Sequence, residues 1–495
     1  MSTPIETIRS YGGLYTAESE IHSPATIDEV IALFHMARQA GRRVAFRGRG
    51  YSFDTQGLDS GTLISLDRFN KISVDVSARQ VTVGAGATWG DILAAAEPHG
   101  LVPPVMVSTS HASAGGTLSA CCISRFSPTA GKEGKWISRF TIITPDGIVR
   151  QCSRTEHADL FYAAIGGFGY FGAVVEITYE LLYVGTPARI KTYVTLRPDT
   201  SELHTILLQA YDKSDNDTPK PPKEGFNSQP TNVLKPPLGG LGVSAAEPSP
   251  MRTVYSAFAI KGDKVRTMYC HTEYCTDAKL VPMMPHQPQL NARLVTEFMV
   301  QWFPRLGQAF WNYAYDHYIP GNDTYIDSVH GYTFFMDGNV RAKRLGRKIG
   351  MKFRAIQQTF VIPLSKELFD EFLAACLQGM KDAHTPPAMI DTLCLHADEG
   401  FLLSSTNGMS GYTLSIAFES LNDDKIVRIT KCMKDLTRRC LEMGGRIHLT
   451  KNVLADPDDV RAMYADALVP FFTVKKKYDP DGLIGSAFIE RLFVR

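Results

Sequence analysis

Three stretches of the chain combine glycine with groups that bind anions. The first is "VAFRGRGYSF", Val44 to Phe53, in which an apolar run ends in Arg47-Gly48-Arg49-Gly50-Tyr51-Ser52-Phe53. Two glycines let the backbone turn tightly and leave its N–H groups bare, and such a nest binds phosphate. Arg47 and Arg49 add positive charge, and at least one of them is expected to neutralise a diphosphate. The second stretch joins Ser108, Thr109 and Ser110 to "ASAGGTLSACC", which supplies Ser113, Gly115, Gly116, Thr117 and Leu118. Small residues here let backbone approach a flat ligand closely. The third is "LFYAAIGGFGYFGAVVEI", with Gly166, Gly167, Gly169 and Gly172 ahead of Val174. Packing alone does not call for three glycine-dense loops, each beside a strand. A large ligand with a diphosphate and a planar ring explains all three. A Rossmann fingerprint is excluded, because it needs a third glycine opening a long helix and an acidic residue ~20 positions on. Here Tyr51-Ser52-Phe53-Asp54 follows, with no helical period.

Short elements must hold these loops. Residues 24–40 read as a capped helix with Ile27, Val30, Ile31, Phe34 and Ala37 on its apolar face, followed by a strand from Arg43 to Phe46. "TLISLDRF" and "QVTVGAG" alternate like strands, and "TWGDILAAAEPHG" reads as a short helix capped by Thr88. "FTIITPDGIVRQC" reads as a hairpin turned at Pro145-Asp146-Gly147, with a further strand in "GAVVEITYELL". Residues 212–250, rich in Pro, Asp, Lys and Ser, read as an exposed surface insertion. Beyond it, "TVYSAFAI", "AIQQTFVIP" and "GYTLSIAFES" read as strands, and "SKELFDEFLAACLQGMKDA" and "DDKIVRITKCMKDLTRRCLEMGG" as amphipathic helices. One sheet with helices on a face is expected, a second α+β unit. "GGRIHLT" reads as a strand that ends beside Lys451, and Lys475 to Lys477 as a solvated helix face.

A chain of 495 residues exceeds one ordinary core, so two domains are expected, one interrupted by the other. Hydrophobic content of 44% and charged content of 21% are ordinary for a soluble protein. A net charge of +1 supplies no global field for nucleic acid or an anionic membrane. No apolar run approaches the ~20 residues of a membrane span, and the first residues show no secretory pattern. The nine cysteines are scattered, Cys121 and Cys122 are adjacent, and Cys270 and Cys275 lack a matching second pair, so no zinc site is expected. Buried free thiols in a reducing, cytoplasmic setting are expected, with peripheral membrane attachment as the alternative.

The order "RGRGYSF … GAGATWGDILAAAEPHGLVPP … ASAGGTLS … TIITPDGIV … DLFYAAIGGFGYFGAVVEI", over residues 20–185, resembles the FAD-binding domain of the vanillyl-alcohol-oxidase, or p-cresol-methylhydroxylase, flavoprotein superfamily. The resemblance implies that Arg47 to Phe53 embrace the FAD diphosphate. Ser108, Thr109 and Ser113 to Leu118 would line diphosphate and ring, and the strand near Val174 the adenine side. Many members, berberine-bridge-like enzymes and cytokinin dehydrogenases among them, carry a linking histidine where this chain has Tyr51, so non-covalent FAD is expected. Thr141 stands where cytokinin dehydrogenases place a catalytic aspartate, which argues against cytokinin as substrate.

The C-terminal half, clearest over 330–495, resembles the flavin oxidase subunit of decaprenylphosphoryl-ribose 2′-epimerase and its sugar-oxidase-like relatives through "AIQQTFVIP", "GYTLSIAFE", "LEMGGRIHLTKN" and "VKKKYDPDGLIGSAFIERL". By that resemblance Lys451 reaches flavin and substrate, Gln357 faces the active site, Tyr325 lines the pocket and Ser415 takes a cysteine's place. A family histidine is replaced by Ile123 or Ser124, and a pocket lysine by about Cys394. His448 reads as a hydrogen-bonded core histidine; the role of His111 stays open. The expected architecture is a two-domain α+β fold: residues 1–186 bind FAD, 187–444 form a substrate cap, and 445–495 return to complete the FAD domain. The expected activity is oxidation of an alcohol carbon of a small or lipid-linked, sugar- or polyol-like substrate. An oxidase of a secondary-metabolite alcohol or phenol, and a catalytically degenerate binding protein, remain as alternatives. The electron acceptor is open.

Overall fold

The structure, a computed structural model, describes residues 5–214, 252–261, 264–282, 323–398, 400–419 and 421–494. Residues 215–250 of the expected surface insertion lie outside the described residues; Asp212 to Ser214 close the helix Leu203–Ser214 rather than open a loop.

The N-terminal part holds two sheets. The first has Thr16–His22 and Val44–Arg47 parallel to a central Gly61–Ser65, with Ile5–Arg9 antiparallel at one edge. The second is an antiparallel five-stranded sheet in which Ala173–Glu180 lies between Gln80–Gly84 and Ile137–Ile143, flanked by Ile72–Asp75 and Val149–Ser153. The helix Ile27–Gln39 begins at Thr26, whose side chain accepts from Glu29 N, and it buries Val30, Phe34 and Ala37. That face packs where the sheets meet, against Val44 and Ile64 of one and Ile143, Ala173 and Val175 of the other. Full burial of one such side chain as Phe34 stabilises by about 1.5–3 kcal/mol.

Leu483 and Ile484, from the other end of the chain, share this core, and Val44 N donates to Leu483 O at 2.9 Å. The C-terminal segment thus packs on the core between the two N-terminal sheets. Lys475 explains much of the attachment and corrects the expectation of a solvated face. It is buried in the helix Ala465–Tyr478, and its ammonium donates to Tyr170 O, Ile484 O and Asp479 Oδ2 at 2.6–2.7 Å. Three acceptors satisfy a charge that burial would otherwise penalise. Burial pushes its pKa down to about 8 despite Asp479.

Between these ends lies one antiparallel sheet, ordered Asp323–Ser328, Arg189–Arg197, Lys264–Cys275, Arg252–Lys261, Met389–Thr392, Gly411–Phe418, Ile356–Pro363 and Arg446–Ile447, with Cys394–Leu395 also on Gly411–Phe418. The helices Lys366–Asp382 and Asp423–Glu442 pack together and on the strand Ile356–Pro363. Side chains alternate across a strand, so helices on one face leave alternate residues for the other. "GGRIHLT" forms less strand than expected: the strand ends at Ile447, His448 N makes one more bond to Thr359 O at 2.8 Å, and the chain turns at Leu449 and Thr450.

Candidate active site

A cleft of about 1260 Å³ separates the N-terminal glycine loops from the open face of the large sheet. Arg47 to Phe53, Ser108, Thr109, Ser113, Gly116 and Thr117 line it on one side, and Tyr325, Gln357, Ser415 and Lys451 on the other. A narrower space of about 90 Å³ adjoins it at Gly48, Arg49, Ser113 and Gly116 and reaches Gly115, Gly169, Gly172 and Val174. Leu118 departs from its sequence placement. It turns into the core on the inner side of the short helix Ala114–Ala120 and lines neither space.

Glycine is required in the first loop. A Cβ at Gly48 would meet Ser113 Oγ at 2.7 Å and Gly116 Cα at 3.5 Å, so the two loops touch through bare backbone. Gly50 has φ +76°. The Arg47 guanidinium donates to Gly57 O at 2.7 Å and Arg9 O at 3.3 Å and so braces the loop, while burial lowers its pKa. Arg49 donates to Gly86 O at 3.3 Å. Tyr51 accepts from Arg344 at 3.1 Å and stacks on His111, which itself does not line the cleft. Thr109 lines the cleft, yet its hydroxyl is engaged by Asp337 at 2.8 Å, as are the N–H and hydroxyl of Ser110. These three bonds pin the helix Asp337–Lys348 to the loop.

On the facing sheet, strand register sets the order of side chains. Ala257, Asp391, Ser415 and Thr359 are successive cross-strand partners and all line the cleft. Gln357, two residues along, donates from Nε2 to Ser415 Oγ at 2.9 Å, and Thr359 donates to the same oxygen at 3.0 Å. Ser415 accepts both bonds, which leaves its own hydrogen for an acceptor in the cleft. Lys451 enters from the turn beyond Ile447, with its ammonium 4.9 Å from the centre of the Phe53 ring. Burial lowers its pKa, whereas Cys122 and Asp391 pull it upward. Gln56 Nε2 fixes its backbone by donating to Lys451 O and Leu449 O, both at 2.9 Å. His448 also lines the cleft; its Nδ1 pairs with Ser405 Oγ at 3.1 Å, and burial with Lys132 and Lys451 keeps the ring neutral. Ile123 and Ser124 line the cleft, whereas Cys394 does not.

Comparison with known proteins places these loops and this wall in one order. A family model described as an FAD binding domain matches residues 20–153, and one described as D-arabinono-1,4-lactone oxidase matches residues 282–492. Decaprenylphosphoryl-beta-D-ribose oxidase of Mycolicibacterium smegmatis is 25% identical over 99% of this chain and 98% of its own length. L-gulonolactone oxidase of Bos taurus is 29% identical over 32% of this chain and 36% of its own, and cytokinin dehydrogenase 1 of Oryza sativa 32% identical over 31% and 30%. The chain is an FAD-dependent oxidoreductase, similar to members of the vanillyl-alcohol-oxidase flavoprotein superfamily. Its two-domain α+β architecture is that of the FAD-binding, p-cresol-methylhydroxylase type.

The residues of this flavoprotein fit FAD. Ser113 Oγ is buried with no hydrogen-bond partner among the described residues; a Cβ on Gly48 would collide with it at 2.7 Å, and one on Gly116 would crowd it at 3.1 Å. A bound diphosphate would satisfy that hydroxyl in a cradle kept open by missing side chains. Among the described residues no group of acidic, histidine or cysteine side chains could hold a metal ion, and no helix is long and apolar enough to cross a membrane.

Several site residues escaped the motif reading. Asn452 joins the two walls: its Oδ1 accepts from Gln357 N at 3.0 Å and its Nδ2 donates to Phe53 O at 3.2 Å. Arg125 presents its guanidinium to the rings of Phe335 at 3.6 Å and Tyr255 at 4.4 Å on the cleft wall. Asp391 is an acid within the apolar run "AMIDTLCL", and that break in pattern is the signal it offered.

Proposed function

We propose that this flavoprotein oxidises an alcohol carbon of a sugar- or polyol-like substrate, free or lipid-linked, and that it holds FAD without a covalent bond. Bound FAD supplies the acceptor for the hydride that leaves the alcohol carbon. Arg47 to Phe53, Ser113, Gly115 and Gly116 would hold its diphosphate, Ser108, Thr109 and Thr117 its ring side, and Val174 its adenine side. Gln357, Ser415 and Tyr325 orient the substrate, and Lys451 sets a positive charge beside the developing negative charge.

The observation that carries this reading is the arrival of Lys451 and Gln357, from distant parts of the chain, on the wall opposite the glycine loops. The sugar-oxidising activity in the name of the Mycolicibacterium relative, which spans the whole chain, supports the substrate class. Residues 1–186 with 445–495 are proposed as the FAD domain and 187–444 as the cap. The test is anaerobic: the purified yellow protein is mixed with sugars, polyols, prenols and phenols in turn. Bleaching by a sugar or polyol is expected, with the flavin afterwards released into the supernatant on acid precipitation. Bleaching by phenols alone would contradict the substrate class, and flavin that stays with the pellet would contradict the non-covalent attachment.

A further inference from the structure

Oxidation of an alcohol needs more than a hydride acceptor. As the C–H bonding pair leaves, the O–H proton must go to a base. Lys451 is poorly suited while charged, and His448, its Nδ1 engaged by Ser405 and its Nε2 without a partner among the described residues, is held a weak base by burial beside Lys132 and Lys451, which lowers its pKa well below the usual histidine range.

Asp391 has the placement a base requires. It lies on the four-residue strand Met389–Thr392, between Ala257 and Ser415 in the cross-strand row, and it opens on the cleft. Among the described residues its carboxylate makes no hydrogen bond and no ion pair, although Lys451 on one side and Arg125 on the other act on it electrostatically. A carboxylate left without donors, beside the hydroxyl pair Ser415–Thr359 and the amide of Gln357, is an acceptor facing the space a substrate would fill. Building on the proposed alcohol oxidation, we infer that Asp391 is the general base that takes the substrate's hydroxyl proton. The step balances. The C–H pair passes to FAD as hydride, the O–H pair becomes the second bond of C=O, and the proton bonds to Asp391 Oδ, from which solvent removes it. Ser415, already accepting two hydrogen bonds, donates its own hydrogen to the same substrate oxygen and aligns it.

The electrostatics suit the task. Burial pushes the Asp391 carboxyl up to about 6, while Arg125 and Lys451 hold it lower than burial alone would. Among the described residues those two cations are the charged groups acting on it. Tyr255 and Tyr332 stand behind Arg125, and Cys122 behind Lys451, with burial raising all three pKa values so that they stay neutral. A base with a pKa near 6 is ionised at neutral pH yet still attracts a proton, which general-base catalysis favours. Activity should therefore fall as pH drops through about 6, where the carboxylate becomes protonated.

The test uses FAD-loaded wild type, Asp391→Asn and Asp391→Glu. Infrared spectra without substrate should show in the wild type a carboxylic-acid band that disappears as pH rises through about 6 and is missing in Asp391→Asn. Stopped-flow flavin reduction by the alcohol that bleaches the wild type should slow ~10²–10⁴-fold in Asp391→Asn and lose its acid limb, with partial recovery in Asp391→Glu. Wild-type reduction rates and an unchanged acid limb in Asp391→Asn would overturn Asp391 as base and leave alcohol oxidation standing. Failure of every alcohol to bleach the wild type would overturn both.

Discussion

Gly50 adopts φ +76°, and a Cβ there would meet Arg47 Nη2 at 2.5 Å and Cζ at 3.1 Å. A β-branched residue resists positive φ, and here it would also push aside the guanidinium that holds the loop to Gly57 O and Arg9 O. Gly50→Val should therefore purify without yellow colour. Gly41 is the control: its φ is +61°, but a Cβ there meets nothing within 4 Å. Gly41→Ala should be less stable by ~1–2 kcal/mol through strain alone and keep its flavin. The absorbance ratio at flavin and protein bands reads both. A flavin-replete Gly50→Val protein would move the diphosphate site elsewhere.

The elements hold this site by crossing the sequence. Asp54, fully buried just after the glycine loop, accepts from Thr55 N at 2.7 Å and Val453 N at 2.9 Å and pairs with Arg491 at 2.8 Å. Arg491→Leu should leave that carboxylate buried without its counter-charge. Loss of one partner of a buried pair costs ~3–5 kcal/mol, and the partial exposure of Arg491 argues for the low end. Urea unfolding should show the loss, and the turn bearing Lys451 should loosen with it; unchanged stability would mean that Asp54 is held by its backbone donors alone. Such long-range pairs are what the sequence conceals. Strands such as "AIQQTFVIP" and "GYTLSIAFES", and helices with apolar faces such as "SKELFDEFLAACLQGMKDA", were legible because their pattern is local. So were the glycine loops, whose backbone demands leave a mark in residue type. Lys475 reads as surface because its three acceptors come from its own turn, from Tyr170 and from Ile484, and no local pattern joins them. Asp391 sits on a strand of four residues, too short for alternation to show, and Asn452 matters only once Gln357 and Phe53 are neighbours.

At the scale of the whole molecule, the cleft exists because the chain leaves the glycine loops, builds the large sheet and comes back. In the proposed function one wall would hold FAD and the other would carry the chemistry, in a single active site. Lys451 is the residue to probe, since Gln56, from the loop wall, fixes its backbone while its ammonium sits over Phe53. A fixed ammonium stabilises the negative charge that arrives with hydride more than it stabilises the ground state, which is what lowers a barrier. Removal of one such preorganised group typically costs ~3 kcal/mol, about 10²-fold in rate. The measurement is anaerobic stopped-flow flavin reduction of wild type, Lys451→Ala and Lys451→Arg with the alcohol that bleaches the wild type. Lys451→Ala should retain its flavin, because the diphosphate loops are untouched, and be reduced about a hundredfold more slowly; Lys451→Arg should recover part of the rate. Reduction of Lys451→Ala at the wild-type rate would contradict a single active site built from both walls.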